Sequence, residues 1–266
     1  MIPLDAYLSR IKLRESPAPD LVSLVTLHES HLAVVPFENL DIPLGREIVM
    51  DEGRFLDKIV RQRRGGFCYE LNGAFAWLLR EIGFDVAFLS ARVLSDEGVP
   101  GPDFDHMALL VRVDGEDWIA DVGFGDSFRR PVRLERDDIQ FDSDPRGLDH
   151  RFVEENDTWS LWKRATRGDR DGWACRYSFT LAPRRLDEYA VMCRHQQVSP
   201  ESSFTRRIVC SRTTPDGRIT LTATMLIETT MNGRVETPVP RERWHDVLRD
   251  RFGVVLPRQI DRWPDP

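Results

Sequence analysis

The sequence predicts an α+β protein in which helices come first, antiparallel strands follow, and a mixed segment ends the chain. Three observations carry that order. Apolar residues recur every three or four positions as far as Gly83. Beyond it they fall into short strand-like runs. Two of these runs flank Asp114-Gly115, a strong hairpin turn pair.

The helical part reads as four segments. Tyr7, Leu8 and Ile11 mark a short first helix, cut off by Pro17 and Pro19. Asp20 is a suitable N-cap for a second, in which Leu21, Leu24, Val25, Leu27 and Leu32 recur at helical spacing. Residues 53–63 predict a third, with Phe55, Leu56, Ile59 and Val60 turned inward. The fourth runs from Cys68 to Ile82, and Gly83 supplies a C-terminal stop.

Strands are expected over residues 86–94, 106–113 and 117–122, with further strand-like runs at 151–164 and 173–181. Residues 137–149, rich in Asp, Pro and Gly, read as a loop. The last region predicts a helix over 186–196, strands over 204–211 and 219–227, and a closing helix over 240–252. The expected division is 1–84, 85–185 and 186–266.

Composition bounds the function. Hydrophobic residues make up 41% and charged residues 30%, ordinary values for a soluble globular chain. A net charge of -7 and a pI near 5.5 argue against a nucleic-acid partner. No run approaches the roughly 18 apolar residues of a membrane span. Four widely spaced cysteines, with no C-x-x-C pair, fit neither a disulfide scaffold nor a zinc site, so no metal is expected. A cytoplasmic, reduced location follows as an expectation; oligomeric state is not specified.

The chemistry centres on Arg63-Arg64-Gly65-Gly66-Phe67-Cys68-Tyr69-Glu70. Paired glycines let the chain turn tightly into a helix, which puts Cys68 at or just before the first turn. The orphan N–H groups and positive dipole end there favour a thiolate. A buried inert thiol is the alternative at this stage. A nucleophile needs a base and the base an orienting group. If Asp114-Gly115 is a two-residue turn, Val113 pairs with Glu116 and His106 falls opposite Gly123. Asp121 then shares the face of His106, within side-chain reach. Met107, Leu109, Val111, Val113, Trp118, Ala120 and Val122 occupy the other face. A three-residue loop would separate His106 from Asp121. Phe37 in a proline-stiffened loop, Gly123-Phe124-Gly125 and the loop ending at Phe204 are candidate pocket walls. Arg64 and Glu70 flank the cysteine as a possible exposed ion pair of little energetic weight.

Taken together, these residues resemble the arylamine N-acetyltransferase family. Arg64-Gly-Gly-Phe-Cys68-Tyr-Glu70-Leu-Asn72 resembles its signature around the catalytic cysteine. Pro36-Phe37-Glu38-Asn39-Leu40, the His106 strand, Asp121-Val-Gly-Phe-Gly125 and the stretch from Ser199-Pro200 to Phe204 resemble further blocks in the same order. The resemblance spans essentially the whole chain. It implies a helical bundle, an antiparallel β-barrel and a C-terminal α/β lid around a papain- and transglutaminase-like core. It further implies a catalytic set of Cys68, His106 and Asp121, with Arg64, Glu70 and Asn72 in support. Phe37, Phe124, Gly125 and Phe204 would line the substrate pocket. The implied reaction is acetyl transfer from acetyl-CoA, a co-substrate rather than a bound cofactor, to an arylamine, arylhydrazine or related amine through an acyl-cysteine. Alternatives are an amide synthase of the same superfamily closing a macrolactam, a thiol hydrolase, and a non-catalytic binding module. One departure stands out: the residue before the histidine, often a small hydroxyl residue in the family, is Asp105 here.

Overall fold

A computed structural model describes residues 2–165, 172–260 and 263. The expected segments 85–185 and 186–266 therefore include residues, 166–171 and the last few of the chain, that lie outside the described residues. Helix α1 spans Leu4–Arg10 and α2 spans Leu21–Val34, where Asp20 accepts the Ser23 N–H at 2.8 Å. A two-residue strand β1, Phe37–Glu38, follows. Helix α3, Glu52–Leu56, is capped by Asp51 and runs on as a π-helical turn, Asp57–Arg61. Helix α4, Cys68–Ile82, ends where Gly83 adopts φ 110° and donates its N–H to Leu79 O. Every residue from Cys68 to Leu79 is buried. A helix buried all round is enclosed on both sides rather than laid on a surface.

The enclosing element is an eight-stranded antiparallel sheet. Its strands are β2 (Asp85–Val93), β3 (His106–Val113), β4 (Glu116–Ala120), β5 (Val132–Arg133), β6 (Gln140–Phe141), β7 (Leu148–Glu155), β8 (Thr158–Ala165) and β9 (Ala174–Phe179). They stand in the order β5-β4-β3-β2-β9-β8-β7-β6. Gln140 joins the two edges: its Oε1 accepts the Arg133 N–H at 2.7 Å and its Nε2 donates to Arg133 O at 2.8 Å. The sheet is thereby a nearly closed barrel. Residues 137–149, expected as loop, supply β6 and the start of β7. Met107, Leu109, Val111, Val113, Ala120 and Val122 pack on the helices. The opposite face is packed as well: Ala91, Ala108 and Ile119 meet Phe128, Phe152, Leu161 and Tyr177 inside the barrel. The hairpin therefore has two buried faces, not the one its alternation predicted.

A 3-10 turn, Leu186–Tyr189, leads into α5, Ala190–Val198, and then α6, Ser203–Arg206. The strand expected over 204–211 begins only at Val209, because Ser202 Oγ accepts the Phe204 N–H and holds a helical turn. Strands β10 (Val209–Thr214), β11 (Gly217–Thr222), β12 (Met225–Thr230) and β13 (Gly233–Pro238) form a second antiparallel sheet in the order β1-β10-β11-β12-β13. The run expected over 219–227 is two strands, folded back where Thr222 Oγ1 accepts the Met225 N–H. Helix α7, Arg241–Phe252, sets Trp244, Leu248 and Phe252 into the core of this sheet, with Leu221, Leu226 and Leu40.

Candidate active site

Cys68 is the first residue of α4. Neither Gly65 nor Gly66 is among the left-handed residues; what matters is the missing side chain. A Cβ on Gly65 would lie 1.9 Å from Pro36 O, so the turn runs hard against the segment leading into β1. Arg10, buried in α1, donates to Ile59 O at 2.9 Å and to the carbonyls of Arg63 and Arg64. The approach to the cysteine is thus fixed by its backbone.

Under this turn lies a buried charge cluster. Arg64 Nη2 pairs with Glu38 at 2.8 Å and Asp41 at 3.1 Å, while Lys58 Nζ pairs with Glu70 and Asp41, each at 2.8 Å. Arg64 and Glu70 are therefore not an exposed pair: both are buried and each takes its own counter-ion. Glu70 also accepts the Phe67 N–H at 3.2 Å, closing the helix start. Burial, against the pull of Lys58, pushes Glu70 up to about 7.

The hairpin has the register that a two-residue turn requires: Val113 faces Glu116 and Leu109 faces Ala120. The ladder stops there, and Asp121 begins the descending loop. His106 Nε2 and Asp121 Oδ2 are 2.8 Å apart, both residues buried. Asn72, one turn along α4 from Cys68, donates to Asp121 Oδ1 at 2.8 Å and Met107 O at 2.6 Å, and accepts the Val122 N–H at 2.9 Å. Asp121 Oδ1 also accepts the Gly123 N–H. Burial opposes the Asp121 charge, but His106, Asn72 and Gly123 outweigh it and hold the carboxyl below its ordinary range. Gly123 touches α4: a Cβ there would lie 2.9 Å from Cys68 Cα. The start of the Cys68 helix thus lies against the loop whose Asp121 holds His106.

Two influences compete at the thiol. The helix start favours thiolate, whereas burial first and the neighbouring Asp105 carboxylate second push Cys68 well up. A backbone hydrogen bond from Met107 works in the thiolate's favour. The sequence expectation of a depressed thiol holds only for the helix-start contribution.

Aromatic rings cluster beside His106 and beside Phe67, the residue before Cys68. Phe124 stands edge-on to His106 at 5.1 Å, Phe204 edge-on to Phe67 at 5.7 Å, and Phe37 faces Phe204 at 6.1 Å. Gly125, with φ 86°, passes beside the Phe37 ring. Sequence reasoning missed Tyr177, whose ring packs on both His106 and Phe124. It also missed His28, whose Nε2 accepts the Asp121 N–H at 3.1 Å while Nδ1 donates to Arg129 O at 2.7 Å. Burial lowers His28 to about 4, so it is neutral. Neither carries a local signal, because Tyr177 reads as a strand aromatic and His28 as a helix-face polar residue.

The sequence profile of the N-acetyltransferase family matches residues 20–260. An arylamine N-acetyltransferase / N-hydroxyarylamine O-acetyltransferase of Salmonella typhimurium is 38% identical over 82% of this chain and 76% of its own length. The chain belongs to the arylamine N-acetyltransferase family. The solved arylamine N-acetyltransferase of Salmonella typhimurium superposes with a TM-score of 0.86 at 36% identity, covering 94% of this chain and 90% of that one. The Mycobacterium marinum arylamine N-acetyltransferase, solved in complex with CoA, gives a TM-score of 0.86 at 28% identity, covering 95% and 93%. The helical bundle, nearly closed barrel and C-terminal α/β segment are thus the arylamine N-acetyltransferase fold. No described helix is long and apolar enough to cross a membrane, and no group of three or more His, Cys, Asp or Glu among the described residues is placed to hold a metal ion.

Proposed function

We propose that the chain transfers an acetyl group from acetyl-CoA to an arylamine, arylhydrazine or related amine, with Cys68 as nucleophile, His106 as base and Asp121 as the group that orients it. The observation that carries this reading is the Cys68 helix start lying against the loop whose carboxylate holds His106 Nε2. With Asp121 accepting a hydrogen bond from Nε2–H, Nδ1 is left as the lone-pair nitrogen to take the proton of Cys68. The sulfur then attacks the thioester carbonyl, the CoA sulfur leaves with that proton, and Cys68 carries the acetyl group. The amine attacks the acyl-cysteine, His106 removes its proton, and the thiol returns. Phe37, Phe124 and Phe204, with Gly125 beside them, would seat the acceptor ring; Arg64, Glu70 and Asn72 support the nucleophile. Because the nucleophile must stay a free thiol, and all four cysteines are free, the reading also favours a reduced, cytoplasmic setting.

Mass spectrometry after mixing with acetyl-CoA tests this: one acetyl group on Cys68 in the wild type and none in Cys68→Ala is expected. Initial-rate lines at several amine concentrations are expected to run parallel. Intersecting lines, or acetyl transfer by Cys68→Ala, would overturn the scheme.

A further inference from the structure

Asp105 precedes β3 and lies outside the groups assigned so far. Its carboxylate spans the gap to α5, where Oδ1 accepts from Gln196 Nε2 at 2.6 Å. The other end of that amide is also engaged: Ser202 Oγ lies 2.6 Å from Gln196 Oε1 and 2.9 Å from Gln196 O. Ser202 Oγ accepts the Phe204 N–H at 3.1 Å. A chain of three side chains therefore runs from the neighbour of His106 to the backbone of Phe204. Gln196 and Ser202 are buried, and Asp105 is wedged: a Cβ on Gly101 would lie 2.7 Å from its Oδ2. The Tyr69 hydroxyl, one residue after Cys68, donates to the carbonyls of Phe104 and Asp105 at 2.8 and 3.2 Å. Asn39 completes the hold on Phe204, donating to Phe204 O at 2.9 Å.

The chemistry of the chain gives it one direction. A carboxylate only accepts, so it orients the Gln196 NH2 toward itself and the amide oxygen toward Ser202. Its charge shortens and strengthens the first link. A neutral hydroxyl at position 105 would fix neither the amide's orientation nor its position as firmly. We propose that Asp105 is a positioning residue: through Gln196 and Ser202 it fixes the Phe204 ring relative to Cys68 and His106, and so shapes the seat of the acceptor amine. This rests on the acyl-transfer reading.

The test compares wild type, Asp105→Ala, Gln196→Leu, Ser202→Ala and Asp105→Asn with an aniline acceptor at saturating acetyl-CoA. Breaking the chain is expected to raise the acceptor KM about ten-fold, the size of one lost hydrogen bond, with a smaller change in kcat. Asp105→Asn keeps an accepting oxygen but loses the charge, and is expected to raise the KM by less than Asp105→Ala does. Asp105→Ala combined with Gln196→Leu is expected to be no worse than either alone. An unchanged KM in Gln196→Leu, or additive effects in the double variant, would overturn the tether. Acetyl loading of wild-type Cys68, followed by mass, separates failure of the reaction scheme from failure of the tether. Hydrogen exchange at the Phe204 amide reads the tether without any reaction. Faster exchange in Gln196→Leu and Asp105→Ala than in Asp105→Asn and wild type supports it, and equal protection in all refutes it.

Discussion

Asn72 Nδ2 lies 2.8 Å from Asp121 Oδ1, so the helix that opens with Cys68 is bonded directly to the carboxylate holding His106. The same amide reaches Met107 O and Val122 N, and the residue has no exposed surface. Asn72→Ala is expected to take this partner from Met107 O and from the Val122 N–H in the core, and to cost about 2–6 kcal/mol, at 1–3 kcal/mol for each of the two groups. Denaturant unfolding measures this directly. A loss below about 1 kcal/mol would show that the contact is not structural.

Much of this site could be read from the chain because it rests on local rules. Asp114-Gly115 fixes the register of β3 and β4, and register fixes which side chains share a face. The glycine pair before Cys68 marked a tight turn, although its cause is contact with Pro36 rather than a left-handed backbone. What stayed hidden depends on segments far apart in the chain. His28 reaches Asp121 from α2, Tyr177 reaches His106 from β9, and Lys58 finds Glu70 only once α3 has folded beside α4. Strand β13 escaped notice because all of it is exposed, which leaves no apolar alternation to detect.

Lys58 is the cation that links two carboxylates under the Cys68 turn. Replacing it with methionine strands Glu70, while Asp41 keeps Arg64, and removal of one partner from a buried ionic set costs about 3–5 kcal/mol. Glu70, already pushed up to about 7 by burial, would rise further and take a proton. A carboxyl raised in the folded state makes folding bind protons, so stability falls as pH climbs from the ordinary carboxylate range through the folded value. Lys58→Met is therefore expected to be nearer wild type at pH 5 than at pH 8, measured by thermal unfolding at both. A deficit independent of pH would contradict this.

His28 has the opposite sign. Burial holds it neutral, lowered from 6.5 to about 4. Unfolding exposes it to ordinary protonation, so the unfolded chain binds more protons between those values and stability is lost as pH falls through that window. The gap corresponds to about 3 kcal/mol. In His28→Gln, the steepness of the decline between pH 6.5 and 4 is expected to drop by about one proton. An unaltered slope would mean that His28 is not held neutral between Asp121 N and Arg129 O.

The thiol itself offers the most direct electrical measurement. Burial raises Cys68 most, the Asp105 carboxylate next, then Cys193, with Asp121 adding less; the Met107 backbone bond opposes them. Asp105→Asn removes the second of these influences and leaves the first untouched. The pH midpoint for alkylation of Cys68 by iodoacetamide should therefore move down. A midpoint that stayed where it is or moved up would contradict this, and the removal of one carboxylate beside a buried thiol leaves burial as the main influence holding it high.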